Sequence, residues 1–345
     1  MDNYKNYNLN SKLKAPLISL ICLGFVLISL SSFAPPWGFH AHREINSLAI
    51  YTLPQEMFGF YKKHADFIRV HAVDPDKRRY GVKGEAPRHY IDIDHYCHLS
   101  DDTVCNPFDF VPRNWYDAVE KFTEDTLQEY GIVPWHITKM VYQLTKAFED
   151  KNLKRILRLS AELGHYVGDS HVPLHTTENY NGQFTNQKGI HGFWESRLPE
   201  LYDTSYDFFV GKAVYVDRPI DLAWDIVEES HIALDSVLRF EAQLNEEWPE
   251  DQKYVYEERG QAIMKTYSEE YAREYHSRLN NQVERRMKQA VINLGSFWYT
   301  SWVNAGQPDL SNFDAEEITT EDEAEIAKEL NKPALDELKK RDHGN

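Results

Sequence analysis

Apolar residues recur every three to four positions over much of the chain, which is the spacing of amphipathic helices. Over 134–149, for example, Ile137, Val141, Leu144 and Phe148 fall on one stripe. Strand-like alternation is scarce, and no repeat of solenoid length is visible. We therefore predict an all-α fold, a single multi-helix domain built of helical hairpins and long irregular loops. The predicted helices span residues 55–70, 114–130, 134–149, 152–168, 218–242 and 281–303.

Some segments lack this periodicity. Residues 71–113 and 176–190 are rich in Asp, Pro, Gly, Asn and Thr, so long loops are predicted there. From Asp314 onward the composition becomes acidic, with eleven acidic and five basic residues. We expect a solvated helix or a disordered tail over 314–345. The folded domain is then expected to span 37–313.

The N-terminal segment has the features of an export signal. Three lysines, the last of them Lys14, precede an uncharged apolar stretch over 16–33, and small residues follow. Residues 1–36 are therefore predicted to be a signal peptide, and the protein to be exported to the periplasm or the extracellular space. Pro35 and Pro36 make a poor cleavage context, so an uncleaved leader that anchors the protein in a membrane stays open as the alternative.

Charge and cysteine content refine this view. The net charge is −17 with neutral histidines, and such a chain repels polyanions over long range. This argues against a role in nucleic-acid packaging but not against a nuclease, because bound zinc reverses the sign of the charge locally. Cys22 lies in the leader, which leaves Cys97 and Cys105 as an even pair. In an oxidising compartment we expect them to form a disulfide.

Candidate metal ligands concentrate between residues 163 and 201. His165 and Asp169 are four residues apart, as are His191 and Glu195, so each pair shares one face of a helix. His175 lies between the two pairs. Histidine nitrogens and carboxylate oxygens on helices suit zinc, whereas calcium would prefer mostly oxygen ligands. The spacing therefore predicts a zinc site.

Further candidate ligands precede this run. They are Trp37 and His42 at the start of the predicted domain, Asp74 in His-Ala-Val-Asp-Pro-Asp, and His89 in Arg-His-Tyr-Ile-Asp. In this order, together with Gly-Asp-Ser-His-Val-Pro-Leu-His over 168–175, the chain resembles the superfamily of zinc-dependent phospholipases C and single-strand-specific zinc nucleases. The resemblance covers 37 to about 200 and implies an α-helical domain with three zinc ions in one cleft.

The resemblance implies one group of ligands for each zinc ion. The groups are Asp74, His89, His165 and Asp169; then His175, His191 and Glu195; then His42, Asp169 and the main-chain amine and carbonyl of Trp37. The third group requires Trp37 to be the mature N-terminus, because an amide nitrogen cannot replace an amine as a ligand. Without it, two ions are expected.

Clustered zinc lowers the pKa of bound water towards neutrality and neutralises phosphate oxygens, which predicts phosphodiester hydrolysis by metal-bound hydroxide. Asp74 is the candidate to orient or deprotonate the attacking water. His171, Asp92 and Asp94 are candidates for the groups around the ligands that fix the histidine tautomers.

Two substrate classes are consistent with this chemistry, and the residue intervals divide between them. The interval of five from Trp37 to His42 and of fifteen from Asp74 to His89 resemble the nucleases, whereas the interval of sixteen from His175 to His191 and the final Glu195 resemble the phospholipases. We favour a phospholipid over single-stranded nucleic acid, with a membrane surface as a possible partner and no obligate protein partner. A zinc-stabilised binding protein without catalysis is the alternative from another class.

Overall fold

The computed structural model describes residues 39–100, 105–259, 262–313 and 319. The predicted leader over 1–36, Trp37 and the tail from 314 lie outside these residues, apart from Thr319. Helices make up most of the described chain, and the prediction of an all-α fold is confirmed. The helices are α1 (Phe39–Ala49), α2 (Gln55–Lys63), α3 (Ala65–His71), α4 (Asp74–Arg78), α5 (Pro107–Phe110), α6 (Trp115–Phe122), α7 (Glu124–Tyr130), α8 (Val133–Glu149), α9 (Leu153–Ser170), α10 (Ile190–Gly192), α11 (Leu198–Tyr202), α12 (Pro219–Glu247), α13 (Glu269–Arg278) and α14 (Gln282–Asn304).

Two of the predicted helices are each broken once. A break at His64 separates α2 from α3, and Thr123 separates α6 from α7. Thr123 has φ 70°, which a helix cannot contain, and its hydroxyl accepts a hydrogen bond from the backbone N–H of Thr126 at the start of α7. The apolar periodicity continues across both breaks, which is why the sequence pattern predicts one helix in each case.

A β-hairpin departs from the helical pattern and was not predicted, and helices α1 and α13 were not predicted either. Strand β1 (Tyr254–Arg259) pairs with β2 (Ala262–Tyr267) in a two-stranded sheet. Residues 256–266 of this hairpin do not belong to the compact helical unit, which contains the described parts of 37–255 and 267–345. Within the hairpin, Tyr256 and Ile263 are exposed.

Helix α9 lies at the centre of the helical unit. It packs against α1, α3, α8, α12 and α14, and every residue from Ser160 to Ser170 is buried. The side-chain oxygen of Asn152 caps its N-terminus by accepting a hydrogen bond from the backbone N–H of Arg155. Because the C-terminal half of α9 is enclosed on all sides, polar residues there must find partners inside the protein.

The predicted loops are irregular but well anchored. Residues 71–113 contain α4, α5 and 3₁₀-helices over Ala86–His89 and Ile93–Leu99, and Cys97 is joined to Cys105 by a disulfide bond. The hydroxyl of Thr177 donates to Asp94 Oδ2 at 2.6 Å, so the two loop regions meet. No helix in the described part of the chain combines the length and the apolar character that a membrane span needs.

Candidate metal centre

The pair His165 and Asp169 lies on the buried half of α9, one turn apart. His165 Nε2 is 3.3 Å from Asp169 Oδ2, as the spacing of four residues predicts. Neither side chain is exposed to solvent beyond 2%. Burying a carboxylate costs free energy unless cations or hydrogen-bond donors contact it. The groups that surround Asp169 therefore define the site.

Two glycines of α9 allow helix α1 to bring His42 to this pair. A Cβ atom at Gly164 would overlap the side-chain oxygen of Asn46, and one at Gly168 would lie 2.8 Å from His42 Nδ1. With glycine at both positions, the ring of His42 stacks on that of His165 with centroids 4.0 Å apart. His42 Nε2 then lies 3.3 Å from Asp169 Oδ1.

His89 and Asp76 approach Asp169 from the predicted loop over 71–113. His89 ends the 3₁₀-helix Ala86–His89, and its Nδ1 lies 2.9 Å from Asp169 Oδ2 and 3.1 Å from His165 Nε2. Asp76 Oδ1 lies 3.6 Å from His165 Nε2 and 3.8 Å from His89 Nδ1. Three chain segments therefore meet at one carboxylate.

A second cluster contains His175, His191 and Glu195. His191 follows Gly189, whose φ of 101° turns the chain into α10, and Glu195 lies on a π-helical turn over Phe193–Arg197. Glu195 Oε2 is 2.6 Å from His191 Nε2 and 3.4 Å from His175 Nε2. The two clusters are adjacent, since His42 Nε2 is 3.6 Å from Glu195 Oε1.

Backbone carbonyls hold two of the imidazoles. Nδ1 of His165 is 2.9 Å from the carbonyl of Ala72, and Nδ1 of His191 is 3.0 Å from the carbonyl of Tyr180. A carbonyl accepts only, so each Nδ1 carries the proton when the ring is neutral. The lone pair of Nε2 is then directed at the carboxylates, which is the form of histidine that binds a metal.

The carboxylates of the site are held in their ionised form. Burial by itself raises the pKa of Asp169, but the charges of His165 and His175 outweigh burial and hold the pKa well below its usual range. The pKa of Glu195 is likewise low, because His191 and His175 overcome the effect of burial. For Asp76 the same balance, with His165 as the main opposing charge, lowers the pKa to about 2.

His42 shows the complementary effect. Burial lowers its pKa, but hydrogen bonds and charges from Asp169 and Glu195 dominate and raise the pKa to about 10. The anionic cluster thus attracts positive charge strongly, in a protein that places it out of reach of bulk water.

These donors fit zinc. They form three groups whose ligand atoms lie within 4.8 Å of one another: His42, His165 and Asp169; Asp76, His89 and His165; His175, His191 and Glu195. Donors that share a tetrahedral zinc at about 2.1 Å are roughly 3.3 Å apart, and most of the separations above are close to this value. Zinc requires ionised carboxylate and neutral imidazole, so zinc at the His42 group would displace the proton of His42.

The structure brings together most of the residues that the sequence proposed as ligands. Those it places in the two adjacent clusters are His42, His89, His165, Asp169, His175, His191 and Glu195. Asp74 is placed elsewhere, because its carboxylate accepts hydrogen bonds from His71 Nδ1 and Lys77 Nζ. Asp76, which sequence reasoning passed over, occupies the cluster. Residues two apart on a helix point about 200° apart, so only one of the two can face α9.

Two of the residues proposed to support the ligands, His171 and Asp94, contact other groups. His171 Nδ1 is 2.7 Å from the carbonyl of Val167, and Asp94 accepts from the Thr177 hydroxyl at 2.6 Å. Asp92 is buried, and its backbone N–H donates to the carbonyl of Tyr130.

Glu85 is the group that lies directly behind a candidate ligand. It is fully buried, and its Oε1 is 3.7 Å from His89 Nε2. Arg88 donates to it at 2.6 Å, and Arg78 lies 3.0 Å from it. A Glu four residues before a candidate ligand His is visible in the sequence, but this pattern is not specific for a supporting role.

Comparison with known proteins decides the family. A family model described as zinc-dependent phospholipase C matches residues 41–294, which include every member of the two clusters. This chain belongs to the zinc-dependent phospholipase C family. The zinc dependence in the description of this family agrees with the donor set of the clusters.

Other comparisons are more distant. No curated protein matches the chain. Among solved structures, the chain is similar to Clostridium perfringens alpha-toxin from an avian strain, with 11% identical residues and a TM-score of 0.45. That match covers 81% of this zinc-dependent phospholipase C family member and 66% of the toxin chain, slightly less than two thirds of the toxin's length.

Proposed function

We propose that this family member is an exported phosphodiesterase that cleaves a phospholipid at the phosphodiester in the manner of a phospholipase C. The observation that carries the proposal is the position of Asp169, whose two oxygens face imidazoles from different segments: His42 and His175 on one side, His89 and His165 on the other. A shared carboxylate of this kind holds several cations close together, which suits the charge of a phosphodiester transition state.

The proposed zinc ligands follow the observed groups. The first set is Asp76, His89, His165 and Asp169, and the second is His175, His191 and Glu195. His42 and Asp169 belong to a third set, which the amine of Trp37 completes if the mature chain begins there. Bound zinc supplies positive charge that acidifies water and stabilises phosphate oxygens.

The chain's own residues then orient the reaction. Asp76 is 23% exposed on its side chain, whereas Asp169 and the imidazoles around it are almost fully buried, so Asp76 lies at the edge where substrate and water enter. Its low pKa keeps it ionised and able to hold the attacking water by a hydrogen bond. We assign to Asp76 the role that the sequence alone suggested for Asp74.

The nuclease alternative loses part of its support. The interval of fifteen residues that resembled the nucleases runs from Asp74 to His89, whereas the interval from Asp76 to His89 is thirteen. The interval from His175 to His191 and the carboxylate of Glu195 still resemble the phospholipases. These observations favour a phospholipid substrate.

The test is an assay of the zinc-loaded protein on phosphatidylcholine, bis-4-nitrophenyl phosphate and single-stranded DNA, with Asp169→Asn as the inactive control. Turnover of phosphatidylcholine with release of a phosphorylated headgroup supports the proposal, whereas preferential release of nucleotides supports the nuclease. If chelation lowers the melting temperature while all three substrates remain intact, the protein is a zinc-stabilised binding protein instead.

Export is tested separately. N-terminal sequencing of the protein recovered from the producing cell, combined with its zinc content, distinguishes the two models of the leader. A start at Trp37 with about three zinc ions per chain supports the complete site. An intact leader with two ions supports membrane anchoring and removes Trp37 from the ligand set.

A further inference from the structure

The helical unit contains a cavity of about 1040 Å³ that none of the candidate zinc ligands lines. It lies between the 3₁₀-helix Ala86–His89 and helices α6, α7 and α8, with the start of α12 at its rim. This volume is in the range of sites that enclose a small organic molecule. The proposed hydrolysis uses no residue that lines it.

Cations predominate on its walls, although the whole chain carries a net charge of −17. Lys83, Arg88, Arg113, Lys139 and Arg218 line it, against the carboxylates Glu124, Asp125 and Glu129. Arg88, Arg113 and Arg218 have acidic partners, but no ion pair involves Lys83 or Lys139 among the described residues. Two exposed ammonium groups are therefore available to an anion.

A buried histidine adds a polar group to the same wall. His136 is only 7% exposed, and its Nε2 is buried without a hydrogen-bond partner in the described structure. Burial holds its pKa well below its usual range, and the charges of Arg88 and Lys139 lower the pKa further. The imidazole therefore stays neutral, and both cations line the same cavity. A buried polar atom without a partner costs free energy, and this cost falls if a ligand provides one.

Aromatic side chains also line the cavity. Trp115 and Trp135 meet edge to face with centroids 5.5 Å apart, while Tyr116 and Tyr142 are 80% and 62% exposed. Exposed aromatic rings beside cations are the combination that binds a flat ring on one side and a phosphate on the other. An apolar ligand without charge would leave Lys83 and Lys139 unused.

We propose that this cavity is a second ligand site, separate from the metal centre, and that it binds a phosphate monoester with a planar ring, such as a nucleoside monophosphate. The phosphate would contact Lys83, Arg88 and Lys139, and the ring would stack on the exposed tyrosines. The proposal does not depend on hydrolysis of any substrate, since it concerns binding at residues outside the zinc clusters.

The test measures the stoichiometry of adenosine 5′-monophosphate on the zinc-loaded protein by equilibrium dialysis. We expect two sites per chain, one at the metal centre and one in the cavity. Lys139→Gln should weaken the second site roughly tenfold, because a charge-assisted hydrogen bond is lost. Lys212→Gln, an exposed lysine outside the cavity, is the matched control and should leave both sites intact.

Two further variants test which part of the ligand binds the cavity and which site it occupies. Tyr142→Ala should weaken the binding of adenosine 5′-monophosphate several-fold and leave the binding of inorganic phosphate unchanged. This result would support stacking of the ring on the tyrosine. Asp169→Asn should abolish the site at the metal centre and keep the cavity site. A single site that persists in Lys139→Gln and disappears in Asp169→Asn would overturn the proposal, whether or not the protein hydrolyses phosphodiesters.

Discussion

Asp169 lies one helical turn beyond His165, with 3.3 Å between its Oδ2 and the Nε2 of that histidine, while its Oδ1 faces His42 at the same distance. The carboxylate is thus shared between imidazoles from α9 and α1. Gly168 on α9 leaves room for His42. The close approach of the two helices and the position of the shared carboxylate therefore depend on the same few residues.

Asp76 and Asp74 can be distinguished by zinc content. Asp76→Asn should weaken binding of one zinc ion by at least about tenfold, since it removes a charged oxygen near His165 and His89. Asp74→Asn should retain the metal, because Asp74 contacts His71 and Lys77 instead. Zinc per chain is measured after dialysis against a competing chelator. Loss of zinc in the Asp74 variant alone would restore the ligand assignment made from the sequence.

Glu85 should affect the metal centre although it is not a ligand. Its side chain lies behind His89, so Glu85→Gln should weaken zinc binding about tenfold to hundredfold. Glu162→Gln is the matched control, because Glu162 is also a buried partner of Arg78 but pairs otherwise with Arg158. Competition with a zinc indicator measures both affinities, and equal losses in the two variants would mean that Glu85 acts only through stability.

Gly168→Ala should damage the site while an equivalent change elsewhere should stabilise the protein. The new methyl group would lie 2.8 Å from His42 Nδ1, which forces the ring away from Asp169 and costs about 1–3 kcal/mol by overpacking. Gly59→Ala on α2 meets nothing within 4 Å and should add up to about 1 kcal/mol through helix propensity. Urea unfolding and zinc content report the two effects. Unchanged zinc content in Gly168→Ala would contradict the role given to this glycine.

His136 should make the protein sensitive to mild acid. Its pKa in the folded state is depressed by burial, so the unfolded state binds a proton more readily below the ordinary value of 6.5. The stability that depends on neutral His136 is therefore present above pH 6.5 and is lost progressively as the pH falls below that value.

His136→Leu should remove this part of the acid sensitivity. The measurement is the difference in unfolding free energy between pH 7.5 and 5.5, for wild type and variant, both loaded with zinc. His98→Leu, at a side chain 73% exposed, is the control. The same pH dependence in wild type and His136→Leu would show that His136 already carries a proton in the folded protein.

Most of the fold was predictable from the sequence because long helices repeat their apolar residues at a fixed period. The stripe over 134–149 became α8, and that over 152–168 became α9 with only small shifts at the ends. The hairpin was missed, since its two strands are short and leave Tyr256 and Ile263 exposed. The breaks at His64 and Thr123 were missed because backbone dihedrals do not follow from apolar spacing.

The sequence by itself determined the pairs of candidate ligands that lie within one turn, since His165 with Asp169 and His191 with Glu195 need only local geometry. The tertiary structure decided which remote groups join them. It brought His42 in through the glycines of α9, placed Asp76 rather than Asp74 beside His165 and His89, and set Glu85 behind His89. These positions depend on how the helices pack against one another. A rotation of one helix about its axis changes which of its side chains faces the neighbouring helix.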